Sequence, residues 1–449
     1  MQPYHGYDTF LTAHEAFILE FEQALQTVEP SISVPYWDYS IDTVLYGHVG
    51  EIAAKSNIFS HAWFGPLDNA ATNDIIESKY FTDLPVPQDR DTPEHNGYGY
   101  VTDSVNQNPS AYVTRSNSIC GLPTKSMLAG CTELKAVFAA TNLDDLRSKI
   151  ETVFHAKIHV ALGGVIDCPY SLADAVSEAE GSTGATFSGA DRPELFEAIG
   201  EMANTIWRTL ELASLMRCDE NCDSTSASKF SSRSGAKSPE TLAASKSCSC
   251  SCPTVDRTWH GDKESYVNAY KELNRGGITQ MLLSEASTSA YFDTSPEGSV
   301  RLSGASEEEN HAFWKWMLDF SCHPGSMGQY ATPLASNNDP IFWVTHATWG
   351  RYWHYIRLAP SFADFHADWT DPTVKSWMDG YTNTSDCENM LKYDDLLPFK
   401  GFAENDEGRS TRQYSNQDLY EFFAPNNPDL PYIYADFNWD HCEGSSEWL

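Results

Sequence analysis

Apolar positions recur at helical spacing in three stretches of the chain. In DTFLTAHEAFILEFEQAL, residues 8–25, His14, Phe17, Ile18, Phe21 and Leu25 fall three and four apart, which predicts a helix. TNLDDLRSKIETVFHAKIHV, residues 141–160, carries a stripe of Leu143, Leu146, Ile150, Val153, Phe154 and Ile158 and predicts a second. In NNDPIFWVTHATWGRYWHYI, Pro340 suits a first helical turn, Asp339 stands near its N-cap, and His346, Trp349 and Trp353 share a face. Behind the first helix, ISVPYWDYSID reads as a short extended piece ending in an aromatic turn. Residues 48–112 are rich in Asn, Asp, Pro and Gly and predict long loops with short elements. From Cys168 to about Ala305 the pattern gives way to Ser, Gly and Ala, broken by helix-like pieces near 192–217 and 264–286. This reads as a large insertion with a low-complexity, partly mobile middle.

The chain's 449 residues suffice for a large buried core, and its 13 Trp, 22 Tyr and 22 Phe argue against wholesale disorder. Twenty-nine basic against 63 acidic residues leave a net charge of -34, which repels nucleic acid and anionic membranes. No apolar run approaches a membrane span, and MQPYHGYDTF has neither the basic nor the apolar region of a signal peptide. The 11 cysteines are odd in number, so they cannot all pair within one chain. CSCSC, with Cys218 and Cys222, could hold a soft metal or form small disulfides. A sequon at Asn383 is compatible with secretion, and a secreted, vesicular or vacuolar location stays open.

The candidate chemistry lies in histidines. His155 and His159, four apart on the second helix, stack on one face, where two imidazoles can share a metal. HAKIH lacks the glutamate of a zinc-protease motif. His346 stands inside a strongly apolar helix, and His5 and His14 lie nine apart at the start of the chain. Each also has a plainer reading as a packed or solvated side chain. Together they form an imidazole-rich, carboxylate-poor set that suits Cu, Zn, Fe or Ni. Five histidines on separate segments fit two neighbouring ions sharing a six-histidine inventory that lacks one member, each ring oriented through its other nitrogen.

These segments resemble the type 3 copper proteins, the family of tyrosinases, catechol oxidases and molluscan-type hemocyanins. HGYDTFLTAHEAF followed by SVPYWDYS is similar to the family's first copper region. HAKIHVALGG, SMGQY and NDPIFWVTHATWGRYW are similar to its second, and PYIYAD, with Tyr432 and Tyr434, to the Tyr-x-Tyr motif that closes its core. The resemblance implies a mainly α fold: an antiparallel four-helix core around a dinuclear copper site, with long loops and a few short strands. It implies two copper ions, the first held by His5 and His14 and lacking one expected histidine, the second by His155, His159 and His346. That missing ligand would lie upstream of His5, so an incomplete N-terminus is expected. The copper domain would span 1–437, interrupted at about 168–310, with a short tail at 438–449.

The implied activity is oxidation of o-diphenols to o-quinones by O2, with weak monophenol hydroxylation beside it. The partners would be a small phenolic substrate and O2; the sequence identifies no protein partner. A catalytically impaired relative and a hemocyanin-like oxygen binder are the alternatives. Glu151 is a candidate for the family's proton-handling carboxylate, with a solvated helix carboxylate as its plain reading. The chain departs from the family's pattern at Ala13, Glu15, Ala156, Thr345 and Gly350, where Trp, Arg, Asn, His and Asp are usual.

Overall fold

The computed structural model describes residues 4–68, 73–86, 108, 110–176, 192–218, 250–258, 270–294, 299–332, 335–359, 369, 390–402, 404–405, 408–409 and 411–444. They form two compact units, Met1–Ser56 with Ser126–Ile158 and Pro340–Leu449, and Asn57–Lys125 with His159–Asp339. The fold is mainly helical, with short strands.

In the first unit the predicted opening helix is present as Thr9–Gln26. Of its predicted stripe only Ile18 is fully buried, and His14, Phe17, Phe21 and Leu25 are half-buried. His14, Phe17 and Phe21 face the Ile341–Leu358 helix, with Phe21 stacked on Trp343 at 3.7 Å between ring centroids. Leu11, Thr12, Glu15, Ala16, Leu19, Glu22 and Gln23 are buried as well. Thr12 donates to Asn416 Oδ1 at 2.6 Å and Gln23 to the Phe402 carbonyl, so polar side chains on that side are satisfied by later segments of the chain.

The second predicted helix runs through three successive segments. Leu143–Lys149 is α-helical, capped by Asn142, whose side chain accepts from the Asp145 amide at 2.8 Å. Ile150–Ala156 is π-helical, and Lys157–Gly163 returns to α. Periodicity does not distinguish a π turn from an α turn over so short a span. Its wider i→i+5 bonding brings residues four apart nearly into line, and Ile150 with Phe154 and Glu151 with His155 are the buried pairs.

The Ile341–Leu358 helix is the centre of this unit, buried on every side from Phe342 to His354 save Trp343. The PYWDY segment docks on it. Trp37 donates its amide to the Val344 carbonyl at 2.9 Å, Thr348 Oγ1 donates to the Trp37 carbonyl at 2.6 Å, and Trp349 Nε1 donates to Tyr39 Oη at 3.0 Å. Arg351 joins the two motifs: it pairs with Asp38 at 2.8 Å and with Asp436 at 2.8 Å, and lies between the rings of Tyr36 and Trp439. A disulfide, Cys131–Cys442, ties the Cys131–Phe138 helix to residues beyond 437, where Trp439 is buried.

The second unit has a four-stranded sheet in the order Leu122–Pro123, Ser118–Ile119, Val165–Ile166, Ser326–Met327. Much of its core comes from the stretch that composition marks as an insertion. The helices Pro193–Glu201, Ala203–Leu212 and Ile278–Ser284 bury Phe196, Trp207 and Leu282 in one cluster with Phe313, Trp314 and Phe320. The last three lie on Glu307–Cys322, which Ser306 and Glu309 cap reciprocally. Cys252 is disulfide-bonded to Cys322, Cys120 to Cys168, and Cys250 is also in a disulfide. Residues 219–249, the low-complexity middle, lie outside the described residues. Asp339 makes no cap for the helix that follows: in this unit it is paired with Arg115, both side chains fully buried. No helix of the described residues is long and apolar enough to cross a membrane.

Candidate metal centre

Four of the five histidines meet in the first unit, each from a different segment. His5 lies in the turn ahead of the first helix, His14 on that helix, His155 in the π-helical segment and His346 on the central helix. Ring centroids stand 5.1 Å apart for His5 and His14, 5.0 Å for His5 and His155, and 5.6 Å for His14 and His155. His346 lies 5.3 Å from His14, nearly parallel to it, and 5.4 Å from His155. One ligand nitrogen each of His5, His14 and His155 falls within 4.8 Å of the others, and the Nε2 atoms of His5 and His155 face each other at 3.4 Å.

The rings are aimed by a device repeated on two helices. His14 Nδ1 donates to the Phe10 carbonyl at 2.7 Å, and His346 Nδ1 to the Phe342 carbonyl at 2.7 Å, each four residues back. With the proton fixed on Nδ1, Nε2 carries the lone pair. Burial pushes the His14 imidazole down to about 4, against the hydrogen bond it donates to the Phe10 carbonyl, so the ring is neutral at neutral pH, the form that binds a metal. Phe10, Phe342 and Trp349 wall the cluster, with Phe342 stacked on His346 at 3.6 Å and Trp349 at 4.2 Å from His346 and 4.9 Å from His155. His159 follows His155 by one turn of continuous helix and belongs to the second unit, where it is buried with Nδ1 bonded to the Tyr330 carbonyl at 2.7 Å.

Glu151 is buried, and both of its oxygens are engaged. Oε1 accepts from the Gly6 amide at 2.7 Å and Oε2 from Arg147 Nη1 at 3.0 Å. Burial pushes its carboxyl up to about 7, against the pull of Arg147 and the Gly6 amide. Arg147 also pairs with Asp144 and lies 3.9 Å from Asp8.

The departures from the family pattern fit together. Glu15 accepts from Tyr432 Oη at 2.7 Å, and burial raises its carboxyl to about 7 against that bond and the charge of Arg357. A Cβ at Gly350 would strike the Glu15 carboxylate and Tyr434 Oη, so the carboxyl occupies space that any side chain at 350 would need. Thr345 Oγ1 turns back onto the Ile341 and Phe342 carbonyls, at 3.0 and 2.9 Å.

Sequence reasoning missed Gly6, Asp8, Phe10 and Arg147. The i,i+4 spacing of Arg147 and Glu151 was a readable sign of their pairing. The partnership of Gly6 with Glu151 had no local signal. A grouping of Cys131, Cys442 and His441 offers no thiolate, because the two cysteines are joined in the disulfide.

An all-imidazole donor set, with His14 and His346 fixed through Nδ1, suits copper well. The comparisons agree with that chemistry. Residues 2–176 match the model of the common central domain of tyrosinase. The chain is 26% identical over 170 residues to a tyrosinase of Streptomyces glaucescens, covering 36% of this chain and 53% of that one. It is 30% identical over 76 residues to a tyrosinase of Streptomyces lincolnensis, 17% of this chain and 24% of that one. Over 38 residues it is 53% identical to a tyrosinase of Streptomyces antibioticus, 8% of this chain and 14% of that one. These alignments span about half or less of the relatives' lengths. Histidines converging at a helical core and motifs in family order accompany a matched segment, residues 2–176, that is similar to the common central domain of tyrosinase.

Proposed function

We propose that this chain oxidises o-diphenols to o-quinones with O2, using two copper ions held by His5, His14, His155, His159 and His346. The observation that carries the reading is the convergence of four imidazoles from four segments, two of them locked through Nδ1 to a carbonyl of their own helix. His5 and His14 would serve the first ion, with one histidine fewer than the family's pattern, and His155, His159 and His346 the second. Bound copper supplies the redox chemistry that lets O2 accept electrons from a phenol. Two diphenols give up four electrons and four protons, and one O2 leaves as two waters. The protein's part is to hold the rings in fixed orientation and to line the centre with Phe10, Phe342 and Trp349, a dry wall for an aromatic substrate. Ala156, beside His155, has no polar side chain to hold a water that would deprotonate a monophenol. Diphenol oxidation should therefore exceed monophenol hydroxylation.

The test is reconstitution of the full chain with copper, followed by metal analysis and O2 uptake with a catechol and with its monophenol. Two coppers per chain with faster quinone formation from the catechol is the expected result. A single copper without quinone formation overturns the reading. Reversible O2 uptake with no turnover of the catechol would make the protein an oxygen binder instead.

A further inference from the structure

We infer that Glu151 is a positioning residue for His5, anchoring the turn that carries this histidine to the helix that carries His155. The inference rests on the ligand set proposed above. His14, His155 and His346 sit on helices, whose own hydrogen bonds fix their backbone. His5 does not: regular structure begins only at Thr9. What holds its backbone is therefore a separate question, and the structure answers it at two points.

The first point is the amide after His5. Gly6 has φ +80°, in the left-handed region where glycine is at ease, and its N–H donates to Glu151 Oε1 at 2.7 Å in a buried bond. The second is Asp8, buried and 3.9 Å from the guanidinium of Arg147. Arg147 in turn holds the other oxygen of Glu151 at 3.0 Å and pairs with Asp144, so the carboxylate that grips Gly6 is itself gripped. The three side chains of this clamp other than Asp8 lie on one helical run, Asp144 and Arg147 in its first α segment and Glu151 in the π turn. The π turn brings Glu151 and His155 nearly into line. The face that presents His155 thus also grips the His5 turn, and the two Nε2 atoms end 3.4 Å apart. A proton-accepting role would need a carboxylate oxygen available to substrate. Here one oxygen is committed to the backbone of the His5 turn and the other to Arg147.

Gln distinguishes the two roles, because its carbonyl can still accept from Gly6 but cannot act as a base. The experiment titrates the full metal-free chain with Cu(I) under anaerobic conditions against a chromophoric competitor. It compares wild type with His5→Ala, Glu151→Ala, Glu151→Gln and Gly6→Ala, each first checked by circular dichroism and thermal melting. Glu151→Ala should weaken Cu(I) binding at least tenfold, matching His5→Ala, while Glu151→Gln stays within about threefold of wild type. Gly6→Ala, strained at positive φ and outside any helix, should show the same loss even if Glu151→Ala fails to fold.

If His5→Ala weakens binding but Glu151→Ala and Gly6→Ala do not, the positioning role is overturned and the ligand set stands. A Gln variant as weak as the Ala variant, with the fold intact, also overturns the anchor. If His5→Ala binds as wild type does, the proposed ligand set fails, and this inference with it.

Discussion

His354 shows how burial, more than any partner, sets a charge. Its ring is almost fully enclosed, parallel to Tyr432 and edge-on to Tyr434, and burial pushes its pKa down to about 3, with Arg357 adding to the effect. In an unfolded chain the same imidazole titrates near its ordinary value. As pH falls below about 6.5 the unfolded chain takes up a proton that the folded ring refuses, and stability drops by up to about 1.4 kcal/mol per pH unit until about pH 3. Above about 6.5 the group contributes no slope. Replacing His354 with Gln should therefore make the stability difference between pH 7 and pH 5 smaller by about 2 kcal/mol, read from urea midpoints. An unchanged difference would show that the ring is accessible to protons in the folded state. At this scale the sequence was partly legible. His5, His14, His155 and His346 were readable because their spacing and motif order are local. The carbonyls that aim His14 and His346 are equally local, but the Glu151 carboxylate that holds the Gly6 amide lies 145 residues away and the Tyr432 partner of Glu15 lies 417 away, so neither was legible.

Among elements, the contact of the first helix with the central helix shapes the histidine cluster, because each carries one of its rings. Their packing depends on a swap of volume, the Glu15 carboxyl filling the place beside Gly350. Ala is the better helix former by about 1 kcal/mol, so Gly350→Ala would stabilise an isolated helix. Here overpacking should win: the substitution should cost about 1–3 kcal/mol, since Tyr432 holds Glu15 and Ala347 holds Tyr434. In a Glu15→Ala background the penalty should shrink by at least about 1 kcal/mol, which a double-mutant cycle on denaturation midpoints would measure. Additive effects would mean that the two positions do not touch. Helix existence was legible from periodicity in all three histidine-bearing stretches. The π turn was not, because apolar spacing over two turns is the same for both helix types. The second buried face of the first helix was also hidden, because its polar residues are satisfied by segments that no local pattern connects to it.

For the molecule as a whole, connectivity is drawn from remote parts of the chain. The first unit combines three stretches, and the Cys131–Cys442 disulfide closes a separation of 311 residues within it. A loop that long loses much entropy when cross-linked, so Cys442→Ser should lower stability by about 2–4 kcal/mol. The loss should appear as a lower melting temperature, reproduced by mild reduction of the wild type. A melting temperature indifferent to reductant would show that Trp439 and Arg351 hold the last residues without the bridge. No local signal pairs Cys131 with Cys442, and the odd cysteine count left every pairing open. The composition shift at Cys168 was real in the sequence, yet the helices beyond it bury Phe196 and Trp207 in a shared core. Apolar side chains scattered among small residues proved enough to build one.

The contrast between His14 and His5 has a consequence for anyone who would move this chemistry elsewhere. A histidine that turns Nδ1 onto the carbonyl four residues behind it carries its own aim, and any straight helix offers that carbonyl. Such a histidine is portable: it can be written into a new scaffold as a single substitution. His5 is not, for its placement is on loan from Gly6, Asp8, Arg147 and Glu151, and transplanting it means transplanting them all.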